Sequence, residues 1–342
     1  MATQQRNSSI ELLRIISILG ILCMHVGGVF GKSTHFVTII SLNLINSLFN
    51  ICVTCFVLIA GYYGIKRKKD KLFSLWCIVV FYSIASVTVL LIMGEPIEIV
   101  TLFKFLFPTI TAKYWYFTTY VILAVFAPYI NKIPEVLSKK QFEGLLLLLI
   151  LFFYAAPTFF YFEIIKDNGK GPVNMFVVYL IGRYIAVYKA KSISRLKLGF
   201  MFCGVIIAAF CLNVGASLLR KQSWAPFARD NSLFMLVGAV LFFLIFLNMS
   251  FVSKYVNFMA KNVFAVYIGE GIFRNLILAV SPVSAIDGKI YIIPFIVGLA
   301  MILFLVCSIV ELARGAIFCR MEKYLFKLVQ KLFCRLRSKI RL

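Results

Sequence analysis

Three ionisable side chains, Glu11, Arg14 and His25, fall within the first apolar run of this 342-residue chain. At about 100° per residue, the eleven helical steps from Arg14 to His25 return to within ~20° of the starting direction. Glu11 lies about 40° from His25, so all three share one stripe. The rise from Arg14 to His25 is about 16 Å, which puts Arg14 near one end of such a helix and His25 deep in the other half. Ionisable groups in apolar surroundings cost free energy and mark a functional interior. Neutral imidazole, with an ordinary pKa near ~6.5, is a natural general base, and a guanidinium pairs well with phosphate. A plainer reading stays open at this point. Glu11 and Arg14 can form an i,i+3 ion pair near a helix end, and His25 can be a hydrogen-bonded packing residue between helices.

The remaining candidates are fewer. His35 falls in a polar connection after the first run and reads as solvated. Arg183, in the sixth run, has no acid nearby in sequence and is expected to pair with Glu11 or to bind an anion. Glu270 and Arg274 are spaced i,i+4 in the ninth run, where mutual neutralisation is the expectation. Cys52-Val-Thr-Cys55 has the spacing of a redox or metal pair. It lacks a second pair and sits inside an apolar run, so packing is the expected role and no metal site is assigned.

The elements that must position these residues follow from composition. The chain is 62% hydrophobic and 14% charged, against about 45–50% and about a quarter in a soluble domain. A water-soluble protein is excluded, and 35 Phe against 20 Gly excludes disordered and collagen-like chains. Apolar runs near the ~20 residues of a spanning helix occupy about 10–30, 39–65, 72–93, 115–131, 142–162, 172–188, 198–219, 232–252, 263–280 and 291–313. Backbone polar groups in hydrocarbon must be paired within each segment, and no run alternates as a barrel strand does. The expected fold is an all-α polytopic membrane protein, a bundle of about ten transmembrane helices. Segment 97–110 is apolar but carries Lys104 and Pro108, and reads as a re-entrant or interfacial piece.

A net charge of +23 would suggest nucleic acid in a soluble protein. Here the basic residues sit between the runs, so they orient the chain and no nucleic-acid partner is expected. With a cytoplasmic N-terminus, 24 of the 36 Lys and Arg fall inside and nine outside; Arg14, Arg183 and Arg274 lie within runs. That bias predicts cytoplasmic termini and an even number of spans. The first run carries Glu11 and Arg14 at its start and no small-residue cleavage site, so it reads as a span rather than a signal peptide. Residues 1–313 read as the transmembrane domain and 314–342 as a basic tail, whose Leu, Phe and Ile at helical spacing predict an amphipathic helix on anionic lipid.

Several motifs resemble one family. Asn7-Ser-Ser-Ile-Glu11-Leu-Leu-Arg14, followed after ten residues by His25, is similar to the opening of the integral-membrane acyltransferase 3 family. Phe56-Val-Leu-Ile-Ala60-Gly61-Tyr62-Tyr63 resembles its second span, with Ala60 in place of the usual Ser. Trp115-Tyr-Phe-Thr-Thr-Tyr120 through Pro128-Tyr-Ile-Asn131 resembles its central span, and Tyr179-Leu-Ile-Gly182-Arg183-Tyr184 and Ala265-Val-Tyr267-Ile268 its later ones. The last of these usually ends in His; this chain has Gly269 there and then Glu270, so no second membrane histidine carries over.

The resemblance covers about residues 7–313. It implies transfer of an acyl group, mostly acetyl from acetyl-CoA, to hydroxyls of cell-surface glycans, in a multi-pass protein of the bacterial plasma membrane. The catalytic residues would be His25, as the general base, with Arg14 and Glu11. Arg14 would hold a CoA phosphate, with Arg183, Trp115 and Tyr116 as further substrate or donor contacts. Trp115 or Tyr116 would also be candidates to stabilise the oxyanion. Acyl-CoA is then a donor substrate rather than a bound cofactor, and the acceptor is a surface polysaccharide or lipid-linked glycan. A non-enzymatic carrier or flippase for a lipid-linked glycan would need a similar polar stripe. The absence of a visible repeat and the single buried histidine favour the enzyme.

Overall fold

The computed structural model describes residues 7–66, 69–188, 193–281 and 283–340. Arg6, Arg67, Lys68, Lys189, Lys191 and Arg341, counted above as loop cations, lie outside the described residues. All regular structure among the described residues is helical. The helices are α1 (Ser8–Gly27), α2 (Phe36–Phe49), α3 (Ile51–Tyr63), α4 (Lys69–Ile92), α5 (Ile99–Leu106), α6 (Trp115–Ile130), α7 (Ile133–Val136) and α8 (Lys139–Ile150). There follow α9 (Ala156–Phe159), α10 (Pro172–Tyr188), α11 (Arg195–Arg220), α12 (Leu233–Leu247), α13 (Lys254–Met259), α14 (Val263–Ala279), α15 (Val283–Ile286) and α16 (Ile292–Ile340).

Each of the ten apolar runs contains helix. Seven helices or joined helix pairs among the described residues are long and apolar enough to cross a bilayer. The runs at α6, α10 and α12 hold shorter helices of 16, 17 and 15 residues. Segment 97–110 holds only α5, eight residues with none buried, which is too short to span.

Helix α1 lies at the centre, against α2, α3, α12, α13, α14 and α16. Its start is fixed by Asn7, whose side chain accepts from the Ser9 N–H at 3.1 Å. Lipid supplies no hydrophobic force between helices, so close approach at small residues and interhelical hydrogen bonds must hold the bundle. Both occur. A Cβ at Gly20 would come within 2.7 Å of Cys52 Sγ and the Phe49 ring. Asn43 and Asn213 donate to Ser217 Oγ and Ser47 Oγ at 2.8 and 3.0 Å, joining α2 to α11. Cys52 and Cys55 are free, buried members of the same core. The lipid-facing surface is apolar, with Ile84, Leu91, Leu147, Phe200 and Ile207 all exposed.

Helix α16, 49 residues long and about 74 Å at 1.5 Å per residue, passes through residue 313 without a break. Its Phe318 and Phe326 rings pack on Phe81 and Phe73 of α4, centroids 5.6 and 5.4 Å apart, so the two helices run antiparallel. Between them the buried Arg314 donates to Glu311 through Nε and a terminal nitrogen at 2.7 and 2.8 Å, and pairs with Glu322.

Candidate active site

Helix α1 and the α13–α14 segment begin level with one another. The Ser253 N–H donates to Ser8 Oγ at 2.9 Å, 245 residues apart in sequence. Further along, His25 Nδ1 meets Glu270 Oε1 at 2.9 Å, again 245 residues apart. Two segments running the same way in constant register thus deliver the two side chains to the same depth. The second carboxylate oxygen of Glu270 lies 3.3 Å from Arg274. The expected Glu270–Arg274 pair is therefore present, but it is the outer half of a relay that ends on His25. Glu270 is buried, while the His25 side chain keeps 36% of its surface. A carboxylate flanked by a guanidinium accepts from the ring, so Nδ1 carries the proton and Nε2 is left as the basic nitrogen. Gly269, which stands where the resembling segment has a histidine, sits under the Tyr82 ring, whose nearest atom would be 2.7 Å from an added Cβ. A histidine has no room there, and the acid one position on supplies the polar partner.

A cavity of about 580 Å³ connects the stripe on α1 to the rest of the bundle, and both Arg14 and His25 line it. Lys71 and Lys261, counted in the sequence only as orienting charges, line it too. Arg14 lies 3.8 Å from Glu11, longer than a hydrogen bond, and its side chain is 37% exposed. Trp115, Tyr116, Tyr120 and Tyr267 form the aromatic wall, Tyr116 packing edge-on to Tyr267 at 5.7 Å. The cavity also reaches Lys170 and Asp230. These belong to two loops joined by the partly buried Arg229–Glu163 pair and by Gly169, at φ +80°, whose Cβ position would be 2.5 Å from the Asn231 nitrogen. Burial pushes the Asp230 carboxyl up to about 7, with Lys170 opposing the shift.

A family model described as an acyltransferase domain matches residues 7–311. The chain belongs to the acyltransferase 3 family. It is a multi-pass membrane acyltransferase. No match was found among curated proteins or among solved structures.

In this acyltransferase the motif residues divide between two tasks. Arg14, His25, Trp115, Tyr116 and Tyr267 line the cavity. Gly61, Asn131, Tyr179, Gly182 and Arg183 instead lock α3, α6 and α10 together. A Cβ at Gly182 would lie 2.6 Å from the Leu58 carbonyl, so only glycine admits this helix contact. Tyr179 donates to Asn131 at 2.7 Å and accepts from the Ile65 N–H at 2.8 Å. Arg183 donates to the Gly61 and Tyr62 carbonyls at 3.4 Å, capping the end of α3 before Gly64 at φ +70°. The expectation that Arg183 pairs with Glu11 or joins the donor contacts does not match this placement. Its helix carries it to the α3 terminus, and it does not line the cavity. His35 is mostly exposed, as a solvated residue should be, and lies 4.0 Å from Asp287.

Proposed function

We propose that the protein moves an acetyl or other short acyl group from acyl-CoA to a hydroxyl of a cell-surface glycan. The observation that carries this reading is His25, bonded through Nδ1 to Glu270, on the wall of a cavity shared with Arg14. A sugar hydroxyl is a poor nucleophile at neutral pH and needs a base. Nε2 of His25 takes the hydroxyl proton as the oxygen attacks the thioester carbonyl. The imidazolium is stabilised by Glu270, as the tetrahedral oxyanion must be by a fixed donor such as the Trp115 N–H or the Tyr116 hydroxyl. When the C–S bond breaks, the imidazolium returns the proton to the CoA thiolate, and the acyl ester remains on the glycan.

Arg14, with Lys71 and Lys261, is the grip for the donor's phosphates. An extended pantetheine arm then covers the about 16 Å rise to His25. In the bacterial plasma membrane, with both termini cytoplasmic, this places the donor on the inner side and the acceptor towards the outer one. The basic tail adds affinity for anionic lipid.

The deciding experiment uses the purified chain in nanodiscs with acetyl-CoA and a surface glycan. Free CoA should appear together with added acyl mass on the glycan. His25→Ala should stop both while the protein still elutes as folded material. Full turnover by that variant would overturn the base assignment, and glycan movement without added acyl mass would favour a carrier instead.

A further inference from the structure

A second cavity, about 350 Å³, adjoins the first where His25, Trp115 and Tyr267 line both. The end of α4, α5 and α14 enclose it with Val89, Leu90, Met93, Phe105, Ile272 and Leu276. Beside it, Leu91, Ile92, Met93 and Phe103 are exposed, which in a membrane protein means contact with lipid chains. Into this apolar space comes Lys113, from the loop before α6. Among the described residues its ammonium, although buried, has no hydrogen-bond partner, and it sits 3.1 Å from the centre of the Phe105 ring. Burial pushes the amine down to about 7. The nearby acid, Glu270, is already engaged by His25 and Arg274. A buried amine with no counter-ion is costly unless a ligand brings the missing charge.

We propose that Lys113 binds the phosphate of a lipid-linked acceptor that enters this second cavity from the bilayer. The lipid chain stays among apolar side chains, the phosphate meets Lys113, and the first sugars reach His25 at the junction of the two cavities. The assignment of this lipid as acceptor rests on the acyl-transfer reading above; the binding site itself does not. A water-soluble polysaccharide would gain nothing from an apolar wall open to lipid.

The test is binding of labelled polyprenyl phosphate to the full chain in phosphatidylcholine nanodiscs, with no acyl-CoA present. Wild type should bind it, and Lys113→Met should weaken Kd at least tenfold, whereas Lys113→Arg should stay within about threefold. Unlabelled polyprenol and inorganic phosphate or pyrophosphate at equal concentration should each fail to displace the label. This competition series is done on the wild type, so it stands even where the methionine variant does not fold. Unchanged binding by a folded Lys113→Met overturns the proposal. So does displacement by inorganic phosphate, which marks a simple anion site, or by polyprenol, which marks an apolar groove alone. Lipid binding through Lys113 without any CoA release would support this site and refute acyl transfer.

Discussion

Replacing Glu270 by Gln tests the relay on His25 most directly. In the proposed reaction the imidazole becomes positively charged, its Nδ1 2.9 Å from the carboxylate oxygen. At an effective dielectric of ~20, unit charges about 4 Å apart attract by roughly 4 kcal/mol. Arg274, 3.3 Å from the other oxygen, and the 36% exposure of the His25 side chain both reduce this. About 2–3 kcal/mol should remain, or a fall in kcat of about 30- to 150-fold at ~1.4 kcal/mol per factor of ten. The glutamine oxygen can still accept from Nδ1, so the ring keeps its place and donor binding should persist. The assay is release of CoA thiol, followed by a chromogenic disulfide with both substrates saturating, alongside equilibrium binding of the donor. A kcat within threefold of wild type, or a loss confined to donor KM, would refute the reasoning.

Arg14→Lys should raise donor KM about tenfold with little change in kcat, because a point charge does not restore a forked contact to phosphate. Loss of turnover with normal donor binding would move Arg14 into the reacting centre. Gly182→Ala forces a methyl into the backbone of α3 and should cost about 3 kcal/mol, read as a lowered Tm of the solubilised protein; an unchanged Tm would refute the close contact. Asp230, with a carboxyl raised to about 7 in the fold, keeps a proton that the unfolded chain loses above its ordinary carboxylate pKa, so its contribution to stability falls as pH rises from ~4 towards 7. Asp230→Asn should therefore flatten the decline of Tm between pH 5 and 7, and an unaltered slope would show that Asp230 does not titrate as described.

Much of the frame was legible because it depends on local composition. Apolar runs must become helices in hydrocarbon, and each of the ten does contain helix. The stripe of Arg14 and His25 was legible for the same reason, since both lie on one helix and share one cavity. What escaped was contact between helices. The i,i+4 spacing of Glu270 and Arg274 is visible in sequence, whereas the bond from Glu270 to His25 joins residues 245 apart. Arg183 has no partner visible in the sequence because the carbonyls that it caps belong to another helix. Lys71 and Lys261 look in sequence like ordinary orienting charges, although they face the same cavity as Arg14. The motifs drew equal attention to Gly61, Gly182 and His25, but two of these are sites of close backbone packing and only the third lines the cavity.

The shared offset between Ser8–Ser253 and His25–Glu270 acts as a length lock. One residue inserted into α1 between Arg14 and His25 would turn the imidazole by about 100° and raise it by about 1.5 Å, away from its carboxylate. The same insertion into both segments, at matched depth, would keep the pair together while changing its distance from Arg14. Insertions and deletions in active relatives should therefore collect in the connections between helices. The two stretches 8–25 and 253–270 should change length only in step with each other.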